Sequence, residues 1–310
     1  MKYTLYAMYM MKGEVLLSYD LYFYPKEELV LSDVIDFFKR LTNFTVSETE
    51  SGIHQFWYEN QDTGVYFSFD YNTIDEAAHE EDNIGLSFNL NYNRPTFFAL
   101  EAMPYVKNFA TEFSLLVVDT QDHEIGGEGL PKEPNVSDLI DTWKKGNLFA
   151  VSTISQQQGR PPYLPLEKSM LIWEYQMNKE KLQESIGDDI FVPTLCVIRT
   201  ENDSILSTAV LWPYSIPQVF PKCEYIIAMR EKKNFFGRSK GNEMSLISFE
   251  NLLGNFGAYL ESFSSTIPGT KVLKPNQAKF GESFFKQLSF AKKNLYEIVA
   301  MDSFVDIKPE

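Results

Sequence analysis

The stretch Ile84-Gly85-Leu86-Ser87-Phe88-Asn89-Leu90-Asn91-Tyr92 alternates large apolar with small polar side chains. Successive side chains leave a strand on opposite faces, so Leu86, Phe88, Leu90 and Tyr92 share one side, and Ser87, Asn89 and Asn91 the other. A strand with one dry and one wet face belongs to an antiparallel sheet whose second face meets water. Residues 65–71 repeat the pattern, with Phe67, Phe69 and Tyr71 set against Tyr66, Ser68 and Asp70. Residues 3–10, 15–24 and 55–59 read as further strands, the second ended by Pro25.

Outward from these strands, Ser32 is placed to cap a helix in which Val34, Ile35, Phe38 and Leu41 share a face. An aromatic-rich helix is expected over 96–113, distorted where Pro104 removes a backbone donor, and then a buried strand over 114–121. Residues 121–135 read as a loop, and Ser137 as the cap of a short helix through Trp143. A sheet with helices packed on one face, the α+β class, accounts for this order.

A length of 310 residues suggests two domains. Residues 155–165, SQQQGRPPYLP, are polar and then proline-stiffened, which predicts a linker between an α+β domain over 1–154 and a second over 166–310. The second is expected to open with a helix carrying Leu166, Met170, Trp173 and Met177 and ending near Gly187. Strands follow at 191–200, 204–212, 222–231 and 244–248, then helices from Ser248 and over 276–290, and a closing strand over 296–307. Both domains are expected to be mainly antiparallel sheets with packed helices.

The net charge of −15 is confined to the first half: residues 1–150 carry 25 Asp and Glu against 10 Lys and Arg, and residues 151–310 carry 18 of each. Such a half repels nucleic acid and anionic membrane and attracts basic protein surfaces; solubility is the plainer explanation. No apolar run reaches membrane-spanning length, and the N-terminal stretch lacks a small-residue cleavage site. Cys196 and Cys223 sit by apolar strand-like runs without metal-ligand spacing, which predicts free thiols in a reducing, cytoplasmic setting.

Motifs for chemistry are sparse. Gly237-Arg238-Ser239-Lys240-Gly241 matches the hydrolase elbow as a string, yet the elbow needs a strand before the serine, a helix after it and a later histidine. Here His54, His79 and His123 all precede Ser239, and a hairpin turn is the simpler expectation. The same loop gathers Arg230, Lys232, Lys233, Arg238 and Lys240 around Phe235 and Phe236, which reads as solvated hairpin charge, with docking of the acidic half or of nucleic acid as alternatives.

Two acidic segments stand out: Asp75, Glu76, Glu80, Glu81 and Asp82 with His79, and Asp122 and Glu124 with Asp119, His123 and Glu128. Neither has the spacing of a calcium loop or a zinc helix, and Gly126, Gly127 and Gly129 lack the lysine of a phosphate cradle, so no metal or cofactor is expected. The reading that follows is a non-enzymatic cytoplasmic binding protein, immunity- or inhibitor-like by analogy of charge. Its acidic half would recognise a basic protein partner through Asp75, Glu76, Glu80, Glu81 and Asp82, with Asp122 and Glu124 as a second patch. The alternatives are a metal-assisted hydrolase built on the Asp119–His123 region and a homo-oligomeric subunit that self-associates acid against basic loop.

Overall fold

The computed structural model describes residues 18–26, 29–50, 52–72, 85–121, 130–200, 205–233, 239–265, 267–290 and 296–308. The chain divides into two compact units, one of residues 1–161 with 304–310 and the other of residues 162–303. Both are α+β, with sheets dominated by antiparallel pairs and with helices packed on them.

The first unit holds a six-stranded antiparallel sheet in the order β2-β3-β4-β5-β1-β6. Its strands are β1 (Ser18–Pro25), β2 (Phe44–Glu48), β3 (Ile53–Glu59), β4 (Tyr66–Asn72), β5 (Leu86–Asn91) and β6 (Leu115–Asp119). The alternation read from residues 84–92 is realised in β5, where Leu86, Phe88 and Leu90 are fully buried and Ser87, Asn89 and Asn91 are half-buried on the other face. Strand β2 had not been expected; Phe44 and Val46 alternate as in the other strands, but over only five residues.

On the dry face lie α1 (Leu31–Lys39), α2 (Phe97–Glu112) and α3 (Val136–Gln158). Phe38 of α1 stacks on Phe56 at 4.3 Å between centroids and touches Phe44, Phe69 and Phe109 within about 5 Å. Aromatic pairs in such offset and edge geometries add roughly 0.5–1.5 kcal/mol each beyond their burial. Ser32 does not cap α1: the helix begins two residues earlier, with Val30 at the cap position, so Ser32 falls in its first turn. Pro104 lies within α2, on the exposed side of a helix whose opposite face is buried.

Helix α3 is longer than the short helix expected from Ser137. Its cap is Asn135, whose side chain accepts from the backbone N–H groups of Ser137 and Asp138. It runs through Gly146, where a Cβ would lie 2.2 Å from the Tyr92 hydroxyl, so that glycine marks close packing instead of a stop. Residues 155–158 are therefore helical, and the expected linker is shorter than its composition suggested. The last residues described belong to this unit as well: Phe304 and Val305 are buried, and the Asp306 carboxylate accepts from the backbone N–H and hydroxyl of Thr96 at the start of α2 at 2.8–2.9 Å. A carboxylate is favoured there by the unsatisfied N–H groups and the helix dipole. The expected closing strand is accordingly cut short, to β14 (Tyr296–Val299).

The second unit has a five-stranded sheet in the order β11-β10-β8-β7-β14, with β7 (Leu195–Thr200), β8 (Ser207–Pro213), β10 (Tyr225–Lys233) and β11 (Ser239–Ser248). A small second sheet joins β9 (Gln218–Phe220), β12 (Glu261–Ser262) and β13 (Lys271–Leu273). The pair β8·β10 is parallel, an exception to the antiparallel expectation made possible by the crossover through β9. The helices are α4 (Leu166–Met177), α5 (Lys179–Ile186), α6 (Phe249–Phe256) and α7 (Ala278–Gln287); the single helix expected up to Gly187 is interrupted at Asn178. Trp212, the penultimate residue of β8, is wholly buried among Phe220, Phe256, Phe284 and Phe285. Its Nε1–H donates to the Ile216 carbonyl at 3.1 Å.

Replacing Asp306 by Ala leaves the Thr96 N–H and hydroxyl without their acceptor inside the first unit, so denaturant unfolding should show a loss of about 2–3 kcal/mol. An unchanged midpoint would contradict this anchoring role. Limited proteolysis should nick 159–163 and spare 155–158, as mapped by mass spectrometry of the fragments.

Candidate partner-binding surface

The wet face of the first sheet is polar and partly aromatic; Phe98 of α2 packs edge-on against its Tyr66, and its Ser68 is buried. The strand register puts Ser18, Asp20, Tyr22 and Tyr24 of β1 on this face, with Ser87, Asn89 and Asn91 of β5, Tyr66, Ser68 and Asp70 of β4, and Gln55 and Trp57 of β3. Asp70 accepts from Gln55 Nε2 at 2.9 Å and from Ser68 Oγ at 3.0 Å. Asp20 accepts from Asn89 Nδ2 at 2.6 Å and from Ser18 Oγ at 3.0 Å. Neither carboxylate has a cationic partner among the described residues. Burial, with Asp20 and Tyr24 close by, pushes the Tyr22 phenol above its ordinary value and keeps it protonated at neutral pH.

Trp57 and Tyr66 stack at 5.6 Å with planes 16° apart. Arg94 lies over the Tyr66 ring and donates to its hydroxyl through Nε and a terminal nitrogen, so a guanidinium already rests on this aromatic pair. Sequence reading placed Asp70 on a wet face without marking it as a site, and it passed over Asp20 and Trp57, because a two-residue period gives the face of a side chain and not its neighbours across strands.

The seven residues singled out from sequence, Asp75, Glu76, Glu80, Glu81, Asp82, Asp122 and Glu124, all lie outside the described residues, as do His79 and His123. The described residues that flank them are informative. Asn72 and Gly85, which bound the first segment, are joined by a backbone hydrogen bond of 3.0 Å at the end of the sheet where β5 begins. Gln121, which precedes the second, lies at the opposite end, since β6 runs antiparallel to β1 with Asp119 opposite Leu21. The described residues that flank the two acidic segments thus lie at opposite ends of the sheet.

Asp119, the described member of the hydrolase alternative, is buried; it accepts from the Tyr19 hydroxyl and from the backbone N–H of Gln121 at 2.9 Å. Among the described residues no three His, Cys, Asp or Glu side chains gather as metal ligands. Ser239 opens strand β11 after a hairpin instead of leading into a helix, so the elbow is not formed. Glu101, also buried, accepts from Tyr58, Asn60 and Thr63 at 2.8–3.1 Å and ties the turn after β3 to α2. No protein-family model, curated protein or solved structure matches this chain.

Asp20→Asn and Asp70→Asn should each change unfolding free energy by less than about 1 kcal/mol, since both carboxylates are only partly buried and an amide oxygen can accept from Asn89 or Gln55 while its NH2 donates to the serine hydroxyl, which can rotate to accept. Asp119→Asn should cost about 2–3 kcal/mol, because its acceptor serves a fully buried Tyr19. Equal losses at the three sites in urea unfolding would contradict this division between surface and core.

Proposed function

We propose that this chain is a non-enzymatic cytoplasmic binding protein whose acidic first half recognises a basic protein partner, in the manner of an inhibitor or immunity protein. The observation that carries the reading is the charge division, −15 in residues 1–150 against zero in the remainder. A one-sided field of that size speeds encounter with a basic surface and orients it. Asp75, Glu76, Glu80, Glu81 and Asp82, with Asp122 and Glu124, supply part of that charge. The wet sheet face adds the aromatic rings of Trp57, Tyr66 and Tyr22, of the residue types enriched among interface anchors, beside the carboxylates of Asp70 and Asp20 that can pair with a partner's cations. The free thiols of Cys196 and Cys223 support a reducing compartment, and burial pushes the Cys223 thiol far above its ordinary value, away from thiolate chemistry. No described helix is long and apolar enough to cross a membrane.

The test is a pull-down at low and high salt to recover the partner, followed by stopped-flow association. Glu80→Gln, Glu81→Gln and Asp82→Asn together should slow association several-fold and flatten its salt dependence, with unfolding almost unshifted. Identical rates for the triple variant and the natural chain would remove this segment from the binding surface.

A further inference from the structure

We propose that the wet face of the first sheet is an arginine-reading surface, with two carboxylate seats that take guanidinium groups from an extended segment of a basic protein; this rests on the acidic-recognition reading above and names its partner chemistry. The seats are Asp70 and Asp20. In each, one oxygen accepts from a side-chain amide and the other from a serine hydroxyl, which fixes the carboxylate plane while leaving lone pairs free. A planar, oriented carboxylate suits the two parallel N–H groups of a guanidinium better than a point-like ammonium.

Aromatic rings flank both seats. Trp57 is diagonal to Asp70 across β3 and β4, and Tyr22 is two residues from Asp20 on β1. Guanidinium groups pack against such rings, and the face already holds one at Tyr66, where Arg94 lies 5.7 Å from the ring centroid and donates to the hydroxyl. Charge complementarity decides the occupant, because the surrounding half carries 25 acidic against 10 basic residues and neither seat is neutralised by a described cation.

The register also sets a spacing. Asp70 opposes Ser87 and Asp20 opposes Asn89, so the seats stand two strands apart and two residues out of line, about 12 Å between backbones at standard sheet dimensions. An extended chain advances about 3.3 Å per residue, so arginines about four apart on one side of a strand match the two seats.

The experiment uses the full chain labelled with nitrogen-15 and a glycine heptapeptide amide bearing arginine at positions two and six, with its lysine counterpart, at low salt. The arginine peptide should shift the Trp57 indole N–H and the side-chain amides of Gln55 and Asn89, and should bind at least several-fold tighter than the lysine peptide. Asp20→Asn with Asp70→Asn should weaken it at least tenfold; Asp33→Asn with Asp36→Asn, an equal charge change on exposed positions of α1, should weaken it less than twofold. Equal weakening by both pairs, or equal affinity of the two peptides, would overturn the arginine seats while leaving acidic recognition standing. So would binding that leaves the three side-chain signals unmoved. Shifts that grow with protein concentration in the absence of peptide would make a second copy of this chain the occupant and overturn the foreign partner. Absence of binding by either peptide would overturn both the seats and the acidic-recognition reading.

Discussion

Phe38 occupies the point where α1 and α2 meet the middle of the first sheet, with Phe44, Phe56, Phe69 and Phe109 around it. Rings of that size interlock and cannot slide past one another without opening voids. Because the side-chain period of a strand is two, a slip of one residue would carry the phenylalanines into water and the aspartates into the core. The aromatic packing on the dry face therefore determines which residues stand on the wet one. Asp20, Asp70, Asn89 and Gln55 are held in register by contacts made on the far side of the same strands.

That coupling explains how a polar face can be ordered without a core of its own. Each wet-face carboxylate accepts from one cross-strand amide and from one serine two residues back on its own strand, Gln55 and Ser68 for Asp70, Asn89 and Ser18 for Asp20. Like charges directly opposite each other would destabilise the sheet, and the register separates the two aspartates diagonally with Ser87 and Asn89 between their strands. The buried acids are used differently. Glu101, Asp119 and Asp306 have protein donors inside the unit and fix a turn, a strand end and a helix start.

The α+β class and the strands β4 and β5 were legible because alternation is a local signal, visible wherever one face is dry and the other wet. Strand β2 was too short to show it, and the passage of α3 through Gly146 depends on Tyr92, more than fifty positions earlier, which no window of sequence contains. The polar composition of residues 155–158 suggested a linker, yet an exposed helix end has the same composition. The parallel pair β8·β10 and the return of residues 304–308 are matters of long-range pairing, for which the local pattern carries no mark. For the surface, sequence supplied the charge and missed the arrangement: Asp20 becomes a neighbour of Asn89, and Trp57 of Asp70, only once four strands are laid side by side.

The return of residues 304–308 to the first unit bears on the order of synthesis. Helix α2 is made early, but the carboxylate that caps it emerges more than two hundred residues later, after the whole of the second unit. A nascent chain that has completed only the first 161 residues has the sheet and its aromatic face, and still lacks the buried Phe304, Val305 and Asp306. The first unit would be complete only when the intervening 142 residues have been translated and the chain has come back. Chains interrupted within the second unit would then carry the sheet of the first unit without the carboxylate that caps α2 and without the two apolar side chains buried beside it in sequence.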